Sequence, residues 1–356
     1  MQIIYFILLI GLIIFVHELG HLLVAKFFGV YCAEFALGMG PKIFSFKGKE
    51  TIYSIRAIPV GGFVSMAGED SEEEEKEKIP FERTLPGIAP IKRICIMLAG
   101  VAMNFILSVV LMTGVVLLNG GVVLPPPPVI ETVMENTPAS EAGLMAGDVI
   151  IKIVYSDGVT ILPKDFNEIS SYNEQYNDER TITVDRNGQI LTFVITPEFN
   201  AQENRYLMGI TIPPGKIQEV SVFSTLQYGV QYTVNLAGDT LKAVANMLRG
   251  VGLNQLSGPV AIYNVTGEVM SMANSFVEGV IYFFNLAAIL SISLMIMNLL
   301  PIPVMDGGRV LLILIEMIIR KPVNKQLEQN LMVGSAVLLL LLTFFITYQD
   351  IFRILK

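Results

Sequence analysis

Four long apolar runs constrain this chain more than any other feature. Ile3 to about Phe28 has no charge before His17 and Glu18. Ile94 to Leu118 and Gly279 to Val304 have none, and Leu331 to Tyr348 is shorter but almost purely apolar. A helix rising ~1.5 Å per residue needs about 20 apolar residues to cross a ~30 Å hydrocarbon core. The runs therefore predict a polytopic α-helical membrane protein with four transmembrane helices. Composition agrees: 16% of residues are charged, against about a quarter in soluble chains. The first run lacks a basic leader and a small-x-small cleavage site, and continues into a charged motif, so a retained helix is expected rather than a cleaved signal.

Basic residues set the expected orientation. Lys26, Lys42, Lys47, Lys49, Arg56, Lys76, Lys78, Arg83, Lys92 and Arg93 fall between the first and second runs. Arg309, Arg320, Lys321 and Lys325 fall between the third and fourth. By the positive-inside rule both segments are expected in the cytoplasm. The N-terminus, the region 120–270 and the C-terminus are then external, with Arg353 and Lys356 a mild counter-signal at the last. The acidic run Glu69 to Lys78 reads as a solvated loop. No broad basic patch or nucleic-acid motif is present, which excludes that class of partner. Cys32 and Cys95 form no CxxC pair and no disulfide framework.

The region after the second run differs in kind. Pro125 to Pro128 make a stiff exit. Val149–Val154, Thr181–Val184 and Leu191–Ile195 read as short strands, and Asn187-Gly188 between the last two is a hairpin signal. From Val222 to Leu248 the apolar spacing turns helical and amphipathic, which predicts a helix lying on the membrane surface.

The chemistry lies in His17-Glu18-Leu19-Gly20-His21. Two histidines four apart share one helix face, the spacing of two zinc ligands. Glu18 is placed to accept a proton from the attacking water. The pattern alone arises often by chance, but three ionisable groups inside an apolar helix are costly unless they face a polar site. The bland alternative is a satisfied His/Glu cluster or a proton relay. The chain's two histidines both lie in this motif, which weighs against it. A catalytic zinc usually takes three protein ligands. Cys32 and Cys95 remain open as the third. Asp306 is the stronger candidate, in Asn298-Leu299-Leu300-Pro301-Ile302-Pro303-Val304-Met305-Asp306-Gly307-Gly308-Arg309, where two prolines break the third helix. Unwound backbone at membrane depth is tolerated only beside a buried or wet cavity. At ~1.5 Å per residue His17 lies about 24 Å along its helix, in the inner leaflet, and Asp306 follows the inner end of the third span.

HELGH paired with NLLPIPVMDGG resembles the site-2 protease family of intramembrane zinc metalloproteases, bacterial RseP type with a single PDZ domain. Ile58–Val64 resembles its membrane-associated β-hairpin region, Ala99–Phe105 its second-span signature, Leu256–Val260 the segment before its third span, and Ala139–Ile150 a protease-associated PDZ domain. Val101, Ser293, Met295 and Met305 depart from the usual residues, and Ser293 puts a second substrate-clamping asparagine in doubt. The resemblance implies that His17, His21 and Asp306 bind Zn2+, that Glu18 is the catalytic acid and base, and that Asn298 engages substrate. It implies a bacterial plasma-membrane enzyme with its active site towards the cytoplasm. It would cut single-span membrane proteins, such as anti-sigma factors or signal-peptide remnants, after an upstream site-1 type protease has trimmed them. Tyr53 to Val64 is expected to offer a strand edge to the unwound substrate. The competing reading is a PDZ-bearing membrane scaffold with a vestigial metal site. The expected organisation is a first transmembrane helix at 1–28, a cytoplasmic β region and acidic loop at 29–90, and a second span at 91–119. A PDZ domain at 120–215 and a surface helix with linker at 216–272 follow. A third span at 273–308, a cytoplasmic loop at 309–330 and a fourth span at 331–356 complete it.

Overall fold

The computed structural model describes residues 2–69, 79–166, 168–169, 178–200, 205–249 and 258–354. The acidic run beyond Glu69 and Leu256-Ser257 lie outside these. The chain divides into two compact units, one formed by Met1–Leu118 with Ser221–Lys356, the other by Asn119–Val220.

The first unit is built on four helices long and apolar enough to cross a membrane: α1 (Gln2–Phe27), α2 (Pro90–Leu118), α6 (Phe276–Leu299) and α8 (Lys325–Ile354). α1 stops where Gly29 takes φ 80° and the Val30 amide donates to the Ala25 carbonyl at 2.9 Å, a left-handed cap that glycine alone adopts without cost. α6 starts on Ser275, whose side chain accepts from the Glu278 amide, and stops at Leu299, two residues before Pro301. That is five residues short of the expected Val304, because the prolines forbid helical hydrogen bonding.

Three further expectations need correction. The interval 309–330 is not an irregular loop: α7 (Asp306–Ile319) occupies its first half. The fourth span is not short, since α8 runs 30 residues. Lastly, α4 (Val222–Leu248) does not lie across a surface. A Cβ on Gly229 would strike Thr113 of α2, Thr233 Oγ1 lies 3.4 Å from Ser108 Oγ, and Leu236, Ala237 and Val244 pack on Val101, Ile292, Met295 and Ile296. Rising numbers on α4 meet falling numbers on α2, so the two run antiparallel, side by side. Small residues at the seam permit that close approach, which amphipathicity alone does not reveal.

α5 (Pro259–Ser271) ties helix ends together at one side of the bundle. Gln2 Nε2 donates to the Tyr263 carbonyl at 2.9 Å and Phe6 packs edge-on against Tyr263. At the start of α5, Asp350 of α8 accepts from the amides of Gly258 and Ala261 at 3.0 and 3.1 Å. The start of α1 and the end of α8 therefore share one side of the bundle.

Between α1 and α2, β1 (Cys32–Lys47) and β2 (Ile52–Met66) pair antiparallel. Both strands bend. Phe35 faces Val64 on one side and Tyr53 on the other, while Tyr53 also faces Phe46. Two strands thus make a sheet four deep, with Gly62–Met66 and Lys42–Lys47 at its edges. Tyr53 is interior, so the expected edge from Tyr53 to Val64 narrows to its last part.

The second unit opens with β3 (Val122–Val123) and β4 (Thr132–Val133) and a short α3 (Pro138–Ala142). β5 (Val149–Tyr155), β6 (Thr160–Ile161), β7 (Arg180–Arg186) and β8 (Gln189–Ile195) form a sheet in the order β6-β5-β7-β8. The β7–β8 turn is Asn187-Gly188, both at positive φ, the two-residue hairpin expected of that pair. β9 (Glu198–Asn200) pairs with β10 (Arg205–Leu207), β11 (Ile210–Thr211) with β4, and β12 (Ile217–Gln218) with β3. Ile130, Leu144, Ile150, Ile153, Ile182 and Val184 fill the core. Asp148 is buried under it, held by Arg186 at 2.7 Å and by the Met145 amide at 2.9 Å.

Candidate metal centre

α1 presents His17 and His21 one turn apart, both buried. α7 delivers Asp306 from its first turn. The turn leading there is tight: a Cβ on Gly307 would strike the Leu299 carbonyl, and one on Gly308 the Ile302 carbonyl. That is a physical reason for two glycines after the aspartate.

The three side chains converge. His17 Nε2 and His21 Nε2 stand 3.2 Å apart, and Asp306 Oδ2 lies 3.3 Å from the first and 3.5 Å from the second. A tetrahedral zinc with bonds of ~2.0–2.1 Å has ligand atoms about 3.4 Å apart. All three separations match that edge. Asp306 Oδ2 is buried with no hydrogen-bond partner among the described residues. Two imidazole nitrogens and an unpartnered carboxylate oxygen are a donor set that fits zinc. Among the described residues this is the one such His/Cys/Asp/Glu group.

α2 orients the histidines. His21 Nδ1 donates to the Ile96 carbonyl at 2.8 Å, which leaves Nε2 free as ligand. Buried Asn104 lies 3.2 Å from His17 Nδ1, with its Oδ1 unpartnered. For His17 to bind metal through Nε2 its Nδ1 carries the proton, so the Asn104 amide must turn its oxygen towards the ring; amide oxygen and nitrogen exchange by a simple flip. Ser291 of α6 donates to the Asn104 backbone carbonyl at 2.9 Å. Sequence reasoning gave Asn104 no role. The signal available was a lone amide in a charge-free span, which must find a partner. Helix approach also requires glycine: a Cβ on Gly100 would sit 2.5 Å from His21 Nε2 and 2.8 Å from His17 Nε2.

Glu18, next to His17, lines a cavity of about 1000 Å3 together with His17, His21, Asn298 and Asp306. Asn298 Nδ2 lies 3.5 Å from His17 Nε2. The sheet edge reaches the same place: a Cβ on Gly62 would lie 3.1 Å from Glu18 Cγ. Neither cysteine joins the group. Cys32 is buried, which pushes its thiol up to about 11 and keeps it neutral, and Cys95 is exposed. Glu34, on the cavity wall, is raised by burial. The hydrogen bonds from Ser54, Lys42 and Arg56 outweigh that and hold its carboxyl below the usual range.

The family model for peptidase family M50 matches residues 5–342. This chain belongs to peptidase family M50. The regulator of sigma-W protease RasP of Bacillus subtilis is 33% identical over 98% of each chain. The zinc metalloprotease RasP of Bacillus licheniformis is 32% identical, again over 98% of each. A solved PDZ domain of the SdrC-like protein of Listeria monocytogenes matches 26% of this chain and 92% of its own at 22% identity, with a TM-score of 0.22, too low to decide the fold of the second unit. The M50 membership makes this protein a membrane metallopeptidase that uses zinc and acts on membrane proteins.

Proposed function

We propose that His17, His21 and Asp306 are the zinc ligands of this M50 peptidase and that Glu18 is its proton carrier. The enzyme performs regulated intramembrane proteolysis. The observation that carries the ligand assignment is the triangle of 3.2, 3.3 and 3.5 Å between three ligand atoms, one of them a buried orphan oxygen. When bound, zinc polarises the scissile carbonyl and activates water.

The chain's own groups do the rest. Ile96 and Asn104 fix the imidazole rings, so each presents Nε2 inward. Glu18 takes the proton of the attacking water and returns it to the leaving amide nitrogen. The Asn298 side chain, facing the same cavity, holds a substrate carbonyl or amide in place. A membrane-spanning substrate hides its peptide groups in helical hydrogen bonds and must unwind first. The sheet edge at Gly62–Val64, passing beside Glu18, supports strand pairing as the way the extended stretch is held.

In this reading the metal side of the bundle faces the cytoplasm, as the basic residues demand. The side shared by the start of α1 and the end of α8 faces outward, with the second unit acting as an external PDZ-type domain. A first protease trims the substrate before it enters. The test is Glu18→Gln assayed on a tagged single-span protein. Zinc is retained and cleavage is lost; cleavage that survives sinks the assignment.

A further inference from the structure

Arg309 follows Asp306 by three positions on α7, and both side chains line the cavity that holds His17 and His21. Residues at that spacing are neighbours on a helix, and an acid and a base placed so stabilise the helix by pairing. Here they do not pair. Asp306 Oδ2 has no hydrogen-bond partner, and among the described residues the ion pair of Arg309 runs from Nη1 to Oε1 of Glu69.

Glu69 is held from outside α7. It follows β2 in a turn where the Ala67 amide donates to the Tyr31 carbonyl at 2.9 Å and the Leu85 amide donates to the Ala67 carbonyl at 2.7 Å. Gly68, at φ 98°, lies against Pro86, whose Cδ an added Cβ would meet at 2.3 Å. The Glu69 amide donates to the Met66 carbonyl at 3.2 Å. A fixed turn thus carries the carboxylate to Arg309. α7 has other anchors. Ile313 is buried with Leu22 and Ile96, and nearer the far end Glu316 accepts from Arg93 of α2 at 2.8 Å and from the Val323 amide at 3.0 Å.

Electrostatics gives the pair a use beyond tethering. A carboxylate that ligates a metal offers a lone pair, and a guanidinium donating to the same carboxylate competes for it, often with both of its forks. Arg309 cannot lose its charge to avoid this. After Glu69, the strongest attraction on its guanidinium comes from Asp306, ahead of Glu328. Without the Glu69 charge, Arg309 turns back on Asp306, its neighbour in the same helical turn. With that charge in place, Asp306 Oδ2 stays directed at the two imidazole Nε2 atoms, 3.3 and 3.5 Å away.

We propose that Glu69 is a positioning residue for the metal centre: by holding Arg309 it keeps Asp306 free to ligate. The proposal rests on the assignment of Asp306 as a zinc ligand and adds a residue that acts through another.

The experiment measures zinc binding by the full purified chain across a chelator-buffered zinc series, with no substrate present. Glu69→Gln keeps the shape and removes the charge, and is expected to weaken the zinc midpoint about tenfold, the lower end for loss of an outer partner. Arg309→Gln removes the competitor and is expected to leave the midpoint near that of wild type. The double variant Glu69→Gln/Arg309→Gln is expected to recover to the same level, because no guanidinium remains to turn on Asp306. A pair that only braces the fold gives the opposite order: Arg309→Gln and the double variant fall at least as far as Glu69→Gln. The recovery also separates the effect from misfolding, since a chain that misfolds without Glu69 gains nothing by losing Arg309 as well. Asp306→Asn is measured alongside. If it binds zinc as tightly as wild type, the ligand assignment fails. If it loses zinc while Glu69→Gln does not, or while the double variant stays as weak as Glu69→Gln, the role of Glu69 is refuted and the ligand assignment stands.

Discussion

Gly100→Ala is the sharpest test of how α2 builds the metal centre. The added methyl group would lie 2.5 Å from His21 Nε2, 2.7 Å from His17 Cε1 and 2.8 Å from His17 Nε2. Ordinary contact begins near 3.4 Å, so α2 must retreat about 0.9 Å or the rings must turn. A retreat of that size takes the bond from His21 Nδ1 to the Ile96 carbonyl from 2.8 to about 3.7 Å, and the Asn104–His17 contact from 3.2 to about 4 Å, both beyond hydrogen-bonding range. Losing such outer partners typically weakens a metal site about 10- to 100-fold. The assay is zinc content of the purified chain across a chelator-buffered zinc series, with cleavage measured at each point. Gly100→Ala should shift the zinc midpoint by that factor, and saturating zinc should restore part of the activity. Gly11→Ala is the control, because nothing lies within 4 Å of its added Cβ. A Gly100→Ala chain that binds zinc within twofold of wild type would falsify the claim that close approach of α2 sets the imidazole geometry.

Asp306→Asn weakens one ligand and is expected to strip zinc during dialysis, whereas Glu18→Gln keeps zinc and lowers kcat by about 10²–10⁴-fold, the range for a lost acid–base group; metal analysis beside single-turnover cleavage separates the two. In the second unit, burial raises the Asp148 carboxyl, but Arg186 and the Met145 amide outweigh it and hold it below the usual range. Its stabilising effect is thus complete above about pH 4 and lost as pH falls through the lowered value. After correction for the intrinsic exchange rate, protection of the β5 and β7 amides should fall below pH 4 in the wild type, and Asp148→Ala should lower it at least about tenfold already at pH 7. Asp350→Ala leaves the amides of Gly258 and Ala261 without their acceptor and should cost about 2 kcal/mol, read as faster exchange at the start of α5. Asp350→Asn keeps a carbonyl oxygen there and should cost less.

The spans were legible because length and absence of charge are one-dimensional properties. The convergence of the candidate metal ligands was legible for a related reason. His17 and His21 lie on one helix, and Asp306 stands beside a proline break whose depth follows from counting residues. What escaped was contact between elements remote in sequence. Asn104 looks like any polar residue in a span until its side chain is found against His17. Tyr53 and Gly62 belong to one predicted strand, yet bending buries the first inside the sheet and leaves the second at its rim. α4 has the pattern of an interfacial helix, and only Gly229 and Thr233, small enough to admit α2, turn it upright.

The pairing of β3 with β12 has a consequence of another kind. Val122 sits opposite Gln218 and Val123 opposite Ile217, so the chain enters and leaves the second unit about 4.8 Å apart, one strand spacing. Such an insertion has both of its attachment points on one strand pair. Lengthening it, doubling it or exchanging it for another module leaves the spacing of its two attachment points unchanged. Selection can therefore remodel the second unit while the two ends that lead back into the first unit stay one strand spacing apart.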